Sequence, residues 1–214
     1  ASPCQGEGRE FESRHPLHRG SVHQDRPSFS YPGRMPATII GPTLPPDQPE
    51  VRAVAISSLT GSLTLDGVSG GLGNELDRQL LLALRDWADV VLVGAGTVRA
   101  EGYTGNRAKE IAVVTRSGDV PLADALQLTP SSPADLIATL HARGHRRILC
   151  EGGPEIYTML FNAHLIDILH LTVAPILLGD VDKHLINAGE HHLTLEHHTA
   201  TDDGTLFLRY RAVR

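Results

Sequence analysis

The sequence predicts an α/β fold: a mostly parallel central sheet with helices on both faces and an antiparallel C-terminal edge. From residue 51 onward, short apolar runs alternate with segments of helical periodicity, the pattern of strands linked by crossover helices. The apolar runs are continuous, as expected for parallel strands that are buried on both faces. The last two predicted strands are joined by a polar segment, and we expect them to pair antiparallel.

Each predicted strand is a short, mostly apolar run. The first, Val51–Ile56, continues into Ser57 and Ser58. The later runs cover residues 89–94, 111–114, 147–150, 168–178 and 205–213. Several of these runs have the length of strands and are too short for typical helices.

Three predicted helices connect the strands. Residues 75–88 repeat large apolar side chains at helical spacing. Ser132 with Pro133 begins the second helix and Pro154 the third, because proline is well tolerated at the first helical position. The apolar faces consist of Leu76, Leu80, Leu81, Leu84 and Trp87; Leu136, Ile137 and Leu140; and Ile156, Met159, Leu160 and Ala163.

The composition is that of an ordinary globular domain. The chain has 214 residues, of which 41% are hydrophobic and 21% charged, and its formal net charge is −6. This acidic balance argues against a nucleic-acid partner, and no apolar stretch is long enough to cross a bilayer. The two cysteines, Cys4 and Cys150, suggest no disulfide framework. We therefore expect a cytoplasmic protein that binds neither nucleic acid nor membranes.

The first fifty residues differ from the rest of the chain. They contain nine of the fourteen prolines and show no sustained periodicity, so we expect residues 1–50 to form a tail with a short ordered piece around Ala37–Ile40. The run Gly8–Arg14 resembles a translated transfer-RNA T-arm, which suggests the hypothesis of an over-extended gene start with Met35 as the natural first residue. Residues 51–214 form the predicted domain.

Two glycine turns are candidate phosphate-binding sites. The segments Gly94–Gly96 and Glu151–Pro154 each follow an apolar strand and lead into a helix start. Glycine lets a ligand approach the backbone closely, and a helix start offers unpaired N–H groups to a pyrophosphate. Neither turn matches a dinucleotide-binding fingerprint or a P-loop, so strand-to-helix geometry alone also explains each turn. Their shared position at strand ends favours a nucleotide crevice.

Several short motifs, in their order and spacing, resemble those of a known reductase family. The motifs are Ser57–Gly61, Asp66–Leu72, Ala88–Tyr103, Glu151–Pro154, Leu165–Asp167, Ala174–Gly179 and Asp203–Tyr210. On these residues the chain resembles the reductase domain of the bifunctional deaminase–reductase of riboflavin synthesis, and it is most similar to the stand-alone reductases of actinobacteria. The resemblance covers about residues 51–214, and the zinc signature of the deaminase is absent from the sequence.

This resemblance implies a three-layer, dihydrofolate-reductase-like fold and a homodimer. It implies hydride transfer from NADPH to the ribosyl carbon of a small-molecule pyrimidine like 5-amino-6-(5-phosphoribosylamino)uracil. Glu151 and Thr60 take the catalytic positions, and Glu151 would reach the ribityl or base region. The implied substrate contacts are Ser69, Arg85, Tyr103 and Arg107, with Arg85 a candidate for the substrate phosphate.

The resemblance also implies the residues that would bind NADPH. They are Gly71, Gly94, Gly96, Thr97, Glu101, Thr115, Arg116, Ser117, Gly152, Gly153, Pro154, Glu155, Ile156, Tyr157 and Thr158. The loop of Thr115, Arg116 and Ser117 would meet the adenosine 2′-phosphate. Arg116 suits that position because a guanidinium binds phosphate through paired donors.

One position departs from the family pattern. The family has Ser-x-Asp-Gly at the end of the first strand, and here the acidic position is Thr60. A hydroxyl cannot act as a carboxylate base at neutral pH. Two alternatives therefore stay open: a reductase of another pterin or pyrimidine, such as dihydrofolate, and a catalytically silent NADPH-binding dimer.

Without the resemblance, several of these residues have simpler explanations. Glu151 is explained as a cap of the helix start, Arg85 as a solvated helix residue and Cys150 as a small buried apolar residue. The adjacent pairs His191-His192 and His197-His198 would each point to opposite faces of a strand, so we expect no metal site.

Overall fold

The computed structural model describes residues 37–103 and 109–213. Its strands are β1 (Glu50–Ser58), β2 (Val90–Gly94), β3 (Glu110–Val114), β4 (Leu126–Leu128), β5 (Arg147–Cys150), β6 (Ile168–Ala174), β7 (Leu193–Ala200) and β8 (Leu206–Ala212). They form one sheet in the order β4-β3-β2-β5-β1-β6-β8-β7. The pairs from β4 to β6 are parallel, and β8 pairs antiparallel with both β6 and β7. The predicted mostly parallel sheet with an antiparallel C-terminal edge is confirmed.

The helices lie on both faces of this sheet. They are α1 (Ala37–Ile40), α2 (Glu75–Trp87), α3 (Ala95–Ala100), α4 (Pro133–Ala142) and α5 (Pro154–Asn162). The side chains of Asn74 and Ser132 cap α2 and α4 by accepting from backbone N–H groups in the first turn. Across the described part of the chain, no helix combines the length and apolar character that crossing a membrane requires.

The connections after β1 and β5 leave on opposite sides of the sheet. α2, which follows β1, packs with Val54 and Leu149, whereas α5, which follows β5, packs with Ala53 and Cys150. Successive residues of a strand point to opposite faces, so the two helices cover different faces. Because β1 and β5 are neighbours in the sheet, their diverging connections open a crevice at the carboxyl ends of these strands.

Two strands lie outside the sequence prediction, and one predicted strand is too long. β4 has only three residues, and β7 is an edge strand whose side chains are mostly exposed, so neither has a continuous apolar run. The predicted strand over 168–178 ends at Ala174, because Pro175 has no N–H group to donate to the sheet.

Buried arginines hold α1 and the residues after it against the sheet. Arg52, which is 1% exposed, donates to the carbonyls of Ile40 at 2.9 Å and Pro42 at 2.8 Å. Arg209 donates to the carbonyl of Thr38 at 2.7 Å. These bonds satisfy carbonyl groups that a four-residue helix leaves without intrahelical partners. The described part of the predicted tail, residues 37–49, therefore includes a segment bonded to the domain.

We expect this segment to contribute measurably to stability. Compared with a chain that begins at Met35, a chain that begins at Asp47 should lose about 2 to 4 kcal/mol of unfolding free energy. The loss reflects the burial of Ile39, which is 2% exposed, and charge-assisted hydrogen bonds from Arg52 and Arg209. Urea unfolding of the two chains measures the difference. Equal midpoints and slopes would show that the segment adds no stability.

Candidate active site

A cavity of about 620 Å³ lies at the crevice between β1 and β5. β5 ends at Cys150, which pairs with Ala53, whereas β1 continues to Ser58 alongside β6. The early end of β5 leaves the next part of β1 without a strand partner on that side, and Val54–Ile56 line the cavity. A volume of this size is typical of sites for small molecules and cofactors.

The glycine turn after β5 forms one wall of the cavity. Gly152 has a φ angle of +78°, which glycine adopts without steric cost, and its carbonyl accepts from Gly94 N at 2.7 Å. The two glycine turns therefore lie side by side. Gly153 packs against Thr97: a Cβ at Gly153 would lie 2.8 Å from the Thr97 hydroxyl oxygen. This close contact with Thr97 requires glycine at position 153. Both residues line the cavity.

Three side chains singled out by the sequence meet in the cavity. Arg85 donates from Nε and Nη2 to the two carboxylate oxygens of Glu151, each at 2.6 Å. The Tyr103 hydroxyl donates to the same carboxylate, and the Arg85 Cζ lies 5.9 Å from the centre of its ring. The Glu151 side chain is only 5% exposed, and these charge-assisted bonds compensate its burial.

The Glu151 contacts also control the charge of Arg85. Burial lowers the pKa of this guanidinium, but the hydrogen bonds and charge of Glu151, together with Tyr103, outweigh burial and leave the pKa raised. Arg85 is therefore a permanent cation at the cavity wall. Its bidentate geometry is that of an ion pair rather than of a solvated helix residue.

Glu101 and Ser69 form a second contact on the cavity wall. Glu101 directly follows α3, and its carboxylate accepts from Ser69 N at 2.8 Å. This bond fastens the glycine-rich loop before α2 to the end of α3. Both residues line the cavity, where the resemblance assigns Glu101 to the cofactor and Ser69 to the substrate.

The predicted site residues divide by their position relative to the cavity. Those that line it are Ser69, Arg85, Thr97, Glu101, Tyr103, Glu151, Gly153, Pro154 and Tyr157. Gly94, Gly152 and Ile156 are buried around the glycine turns. Gly71, Gly96, Thr115, Arg116, Ser117, Glu155 and Thr158 are outside the lining. Arg107 lies outside the described residues.

The loop after β3 forms a separate polar turn. The buried hydroxyl of Thr115 accepts from Ser117 N at 3.3 Å and Gly118 N at 3.1 Å. Arg116 extends into solvent, 92% exposed, and its guanidinium lies 3.7 Å from the Glu155 carboxylate at the start of α5. The turn and the α5 start are thus neighbours, although an exposed ion pair of this kind adds little stability.

Thr60 is the predicted catalytic residue that the structure does not bring to the cavity. It is exposed, its hydroxyl lies 2.9 Å from that of Ser58, and it accepts from Leu178 N at 3.2 Å. Thr60 is not among the lining residues, and its catalytic role stays a prediction. β1 carries this turn past the end of the cavity, which a motif match alone does not reveal.

Sequence reasoning missed other polar residues of the cavity: Asn74, Glu75, Asp77, Arg78 and Lys183. Asp77, Leu81 and Arg85 follow one another at four-residue intervals, so they share one face of α2. That spacing is the signal that could have found Asp77. Lys183 comes from a segment without regular structure, and nothing local in the sequence connects it with this site.

Cys150 and the histidines supply no chemistry to this site. Burial raises the pKa of the Cys150 thiol to about 12, which removes the thiolate form at neutral pH. Within residues 37–103 and 109–213, no group of three His, Cys, Asp or Glu side chains has an arrangement that could hold a metal ion.

The sequence matches one family model, and the structure resembles several solved proteins. The model of the RibD C-terminal domain matches residues 49–207. No curated protein sequence matches the chain. A pyrimidine reductase-like protein from Corynebacterium diphtheriae is 26% identical, with a TM-score of 0.69 over 84% of this chain and 96% of that one.

Two more distant structures share the fold. RibD from Acinetobacter baumannii is 21% identical, with a TM-score of 0.68 over 78% of this chain and 59% of that one. Dihydrofolate reductase from Enterococcus faecalis, in complex with NADP(H), is 14% identical, with a TM-score of 0.58 over 77% of this chain and 97% of that one. The three-layer, dihydrofolate-reductase-like fold is therefore confirmed.

The glycine turn can be tested by adding one methyl group. In Gly152→Ala the new Cβ would lie 2.3 Å from Tyr157 Cε2, in a backbone conformation already unfavourable for alanine. Gly144→Ala is the matched control, because Gly144 also has a positive φ angle but no neighbouring atom within 4 Å. We expect the control to lose about 1 kcal/mol of unfolding free energy and Gly152→Ala at least about 2 kcal/mol. Equal losses in denaturant titrations would contradict the close packing of Tyr157.

Proposed function

Since the chain belongs to the RibD C-terminal domain family, we propose that this pyrimidine reductase of riboflavin synthesis uses NADPH. The proposed substrate is 5-amino-6-(5-phosphoribosylamino)uracil or a close relative, and the proposed reaction is hydride transfer to its ribosyl carbon. The observation that carries the proposal is the arrangement of Glu151, Arg85 and Tyr103 in a cavity at the sheet's crevice.

The cavity walls suit a dinucleotide cofactor. Gly153 has room for no side chain beside Thr97, whereas a Cβ on Gly96 would meet nothing within 4 Å. The start of α5, with Pro154 in its first turn, borders the same cavity and offers N–H groups and a positive dipole end to a phosphate. When bound, reduced nicotinamide supplies the hydride for the reaction.

The charged cluster suits the polar part of a pyrimidine ribosylamine. Arg85 and Tyr103 hold the Glu151 carboxylate in one orientation, so it can accept hydrogen bonds from ligand N–H or O–H groups without reorganising. Arg78 and Lys183 are cationic side chains of the cavity wall without a carboxylate within ion-pair distance among the described residues, and each could bind the phosphate of a ligand. The resemblance to the family further leads us to propose a homodimer, which light scattering of the purified protein tests.

The position of Thr60 bears on the two alternative functions. The alternative of a silent NADPH-binding dimer follows from the missing carboxylate at this position. Thr60 is not among the residues that line the cavity, and a turnover measurement separates this alternative from an active reductase. Dihydrofolate is a second substrate to test. The likeness to dihydrofolate reductase is one of fold, at 14% identity, and does not identify the substrate.

The proposed reaction predicts substrate-dependent oxidation of NADPH. We expect the absorbance of the reduced nicotinamide to fall when purified protein receives NADPH and the aminouracil ribosylamine phosphate. Dihydrofolate and a no-substrate sample serve as controls, and a known pyrimidine reductase verifies the substrate. Activity on dihydrofolate alone would transfer the assignment to that substrate. Tight NADPH binding without any turnover would favour the silent binder.

The role of Arg116 can be tested by comparing the KM values for NADPH and NADH. In Arg116→Ala we expect the KM for NADPH to rise about tenfold or more, because the 2′-phosphate loses a charge-assisted contact, while the KM for NADH stays the same. Arg143→Ala is the matched control, because Arg143 is also an exposed arginine and belongs to none of the predicted cofactor or substrate contacts. An equal rise for both cofactors in Arg116→Ala would argue against recognition of the 2′-phosphate.

A further inference from the structure

Reduction of the ribosylamine requires a proton as well as a hydride. A new C1′–H bond forms with the hydride that reduced nicotinamide supplies, and the C1′–O4′ bond breaks with its electron pair going to O4′. The ring oxygen then needs a proton to become a hydroxyl group. A hydroxyl such as that of Thr60 is not acidic enough to supply it. A carboxyl group of the cavity wall is an acid that can.

Four carboxylic side chains line the cavity. Glu151 accepts from Arg85 on both oxygens. Glu101 accepts from Ser69 N at 2.8 Å, and Glu75 is exposed in the first turn of α2. The fourth carboxyl group is Asp77.

Asp77 is held rigidly at the cavity wall. Its backbone N–H donates to the side-chain oxygen of Asn74 at 2.9 Å, which fixes the first turn of α2. The Asn74 amide in turn donates to Asp203 at 2.9 Å and to the Thr205 hydroxyl at 3.1 Å, so the loop before β8 positions this turn. A Cβ on Gly73 would lie 2.9 Å from Asp77 Oδ2, so glycine leaves room beside the carboxyl group.

The surroundings of Asp77 favour the protonated carboxyl form. Burial raises its pKa, and the hydroxyl of Thr172 on β6 offsets only part of that effect. Among the residues that the structure describes, none forms an ion pair with Asp77. Glu151, by contrast, forms an ion pair with Arg85, which lies on the same helix as Asp77.

Asp77 and Glu151 lie beside different parts of β1 in the cavity. Thr172, which faces Asp77, pairs with Ile56 of β1, whereas β5 ends where Cys150 pairs with Ala53. On α2, eight residues separate Asp77 from the Arg85 that binds Glu151, or about 12 Å at 1.5 Å per residue. A ligand with both a pyrimidine ring and a sugar phosphate is long enough to contact both ends.

We propose that the Asp77 carboxyl group is the general acid of this reaction and donates its proton to O4′ as the C1′–O4′ bond breaks. This inference rests on the proposed reductase function. The ionised carboxylate then recovers a proton from solvent through the open side of the cavity, so each turnover consumes one hydride and one proton.

Other charged and titratable groups line the same cavity as Asp77. Glu75 and Arg78 neighbour it on α2, and Lys183 reaches the cavity from the segment before β7. Glu101, Tyr157 and the Arg85–Glu151–Tyr103 cluster complete the titratable groups of the lining. Because a general acid acts in its protonated form, kcat is expected to fall as pH rises through the Asp77 pKa.

The decisive variant is Asp77→Asn, which keeps the size of the side chain and removes its exchangeable acidic proton. We expect kcat to fall about 100-fold or more, the decline of kcat with rising pH to disappear, and NADPH affinity to stay within about twofold. Asp86→Asn is the matched control, since Asp86 is an exposed residue of the same helix outside the cavity. It should keep the kcat and pH profile of the unsubstituted chain. Normal turnover with an unchanged pH profile in Asp77→Asn would overturn the inference.

A second measurement separates this inference from the proposed function. Carbon-detected NMR of protein labelled at aspartate carboxyl carbons should show one resonance that titrates above the usual aspartate range and is missing from Asp77→Asn. This readout does not depend on turnover. If the resonance is found but the unsubstituted chain oxidises no NADPH with the aminouracil, the proposed reaction fails and with it the role of Asp77 as its acid, although the raised pKa stands. If Asp77 titrates in the usual range, the inference fails whatever the activity.

Discussion

The early end of β5 is the constraint on which the site depends. β5 has four residues and stops where Cys150 pairs with Ala53, whereas β1 and β6 continue side by side to Ser58 and Ala174. Because α2 and α5 leave on opposite faces, neither helix covers the open edge of β1 beyond that point. A longer β5 would pair with this edge and fill the crevice. Gly152 makes the stop possible, since its positive φ angle turns the chain sharply into α5.

The buried Glu151 carboxylate at this crevice is compensated by its neighbours. Glu151 follows β5 directly, so the strand carries its carboxylate inward, and Arg85 and Tyr103 balance it there. Elsewhere on the α2 face of the sheet, Arg52 lies 2.9 Å from the Glu50 carboxylate and over the ring of Trp87 while it binds the α1 segment. In both places an arginine bridges elements distant in sequence, and removing one partner would leave a buried charge without compensation.

Several residues singled out by the family resemblance lie together on the cavity wall: Thr97, Glu101, Glu151, Gly153 and Pro154. Thr60, which was assigned by its place in a motif at the end of β1, is not among the lining residues. Conversely, Asp77 belongs to no motif singled out from the sequence, and α2 alone brings it to the site. A motif fixes position along the chain, whereas a site depends on where strands end relative to one another.

The sequence by itself determined the alternation of strands and helices, because apolar runs and helical periodicity are local properties. It also determined the starts of α4 and α5, where proline in the first turn, together with the Ser132 cap in α4, leaves few alternatives. Only the tertiary structure decided that β4 and β7 join the sheet edges, since edge strands are held by neighbours rather than by their own apolar content. It likewise decided that Arg85 meets Glu151 and that Asp77 faces the same cavity. Those contacts join residues far apart in sequence, and the strand order that brings them together has no local signature in the chain.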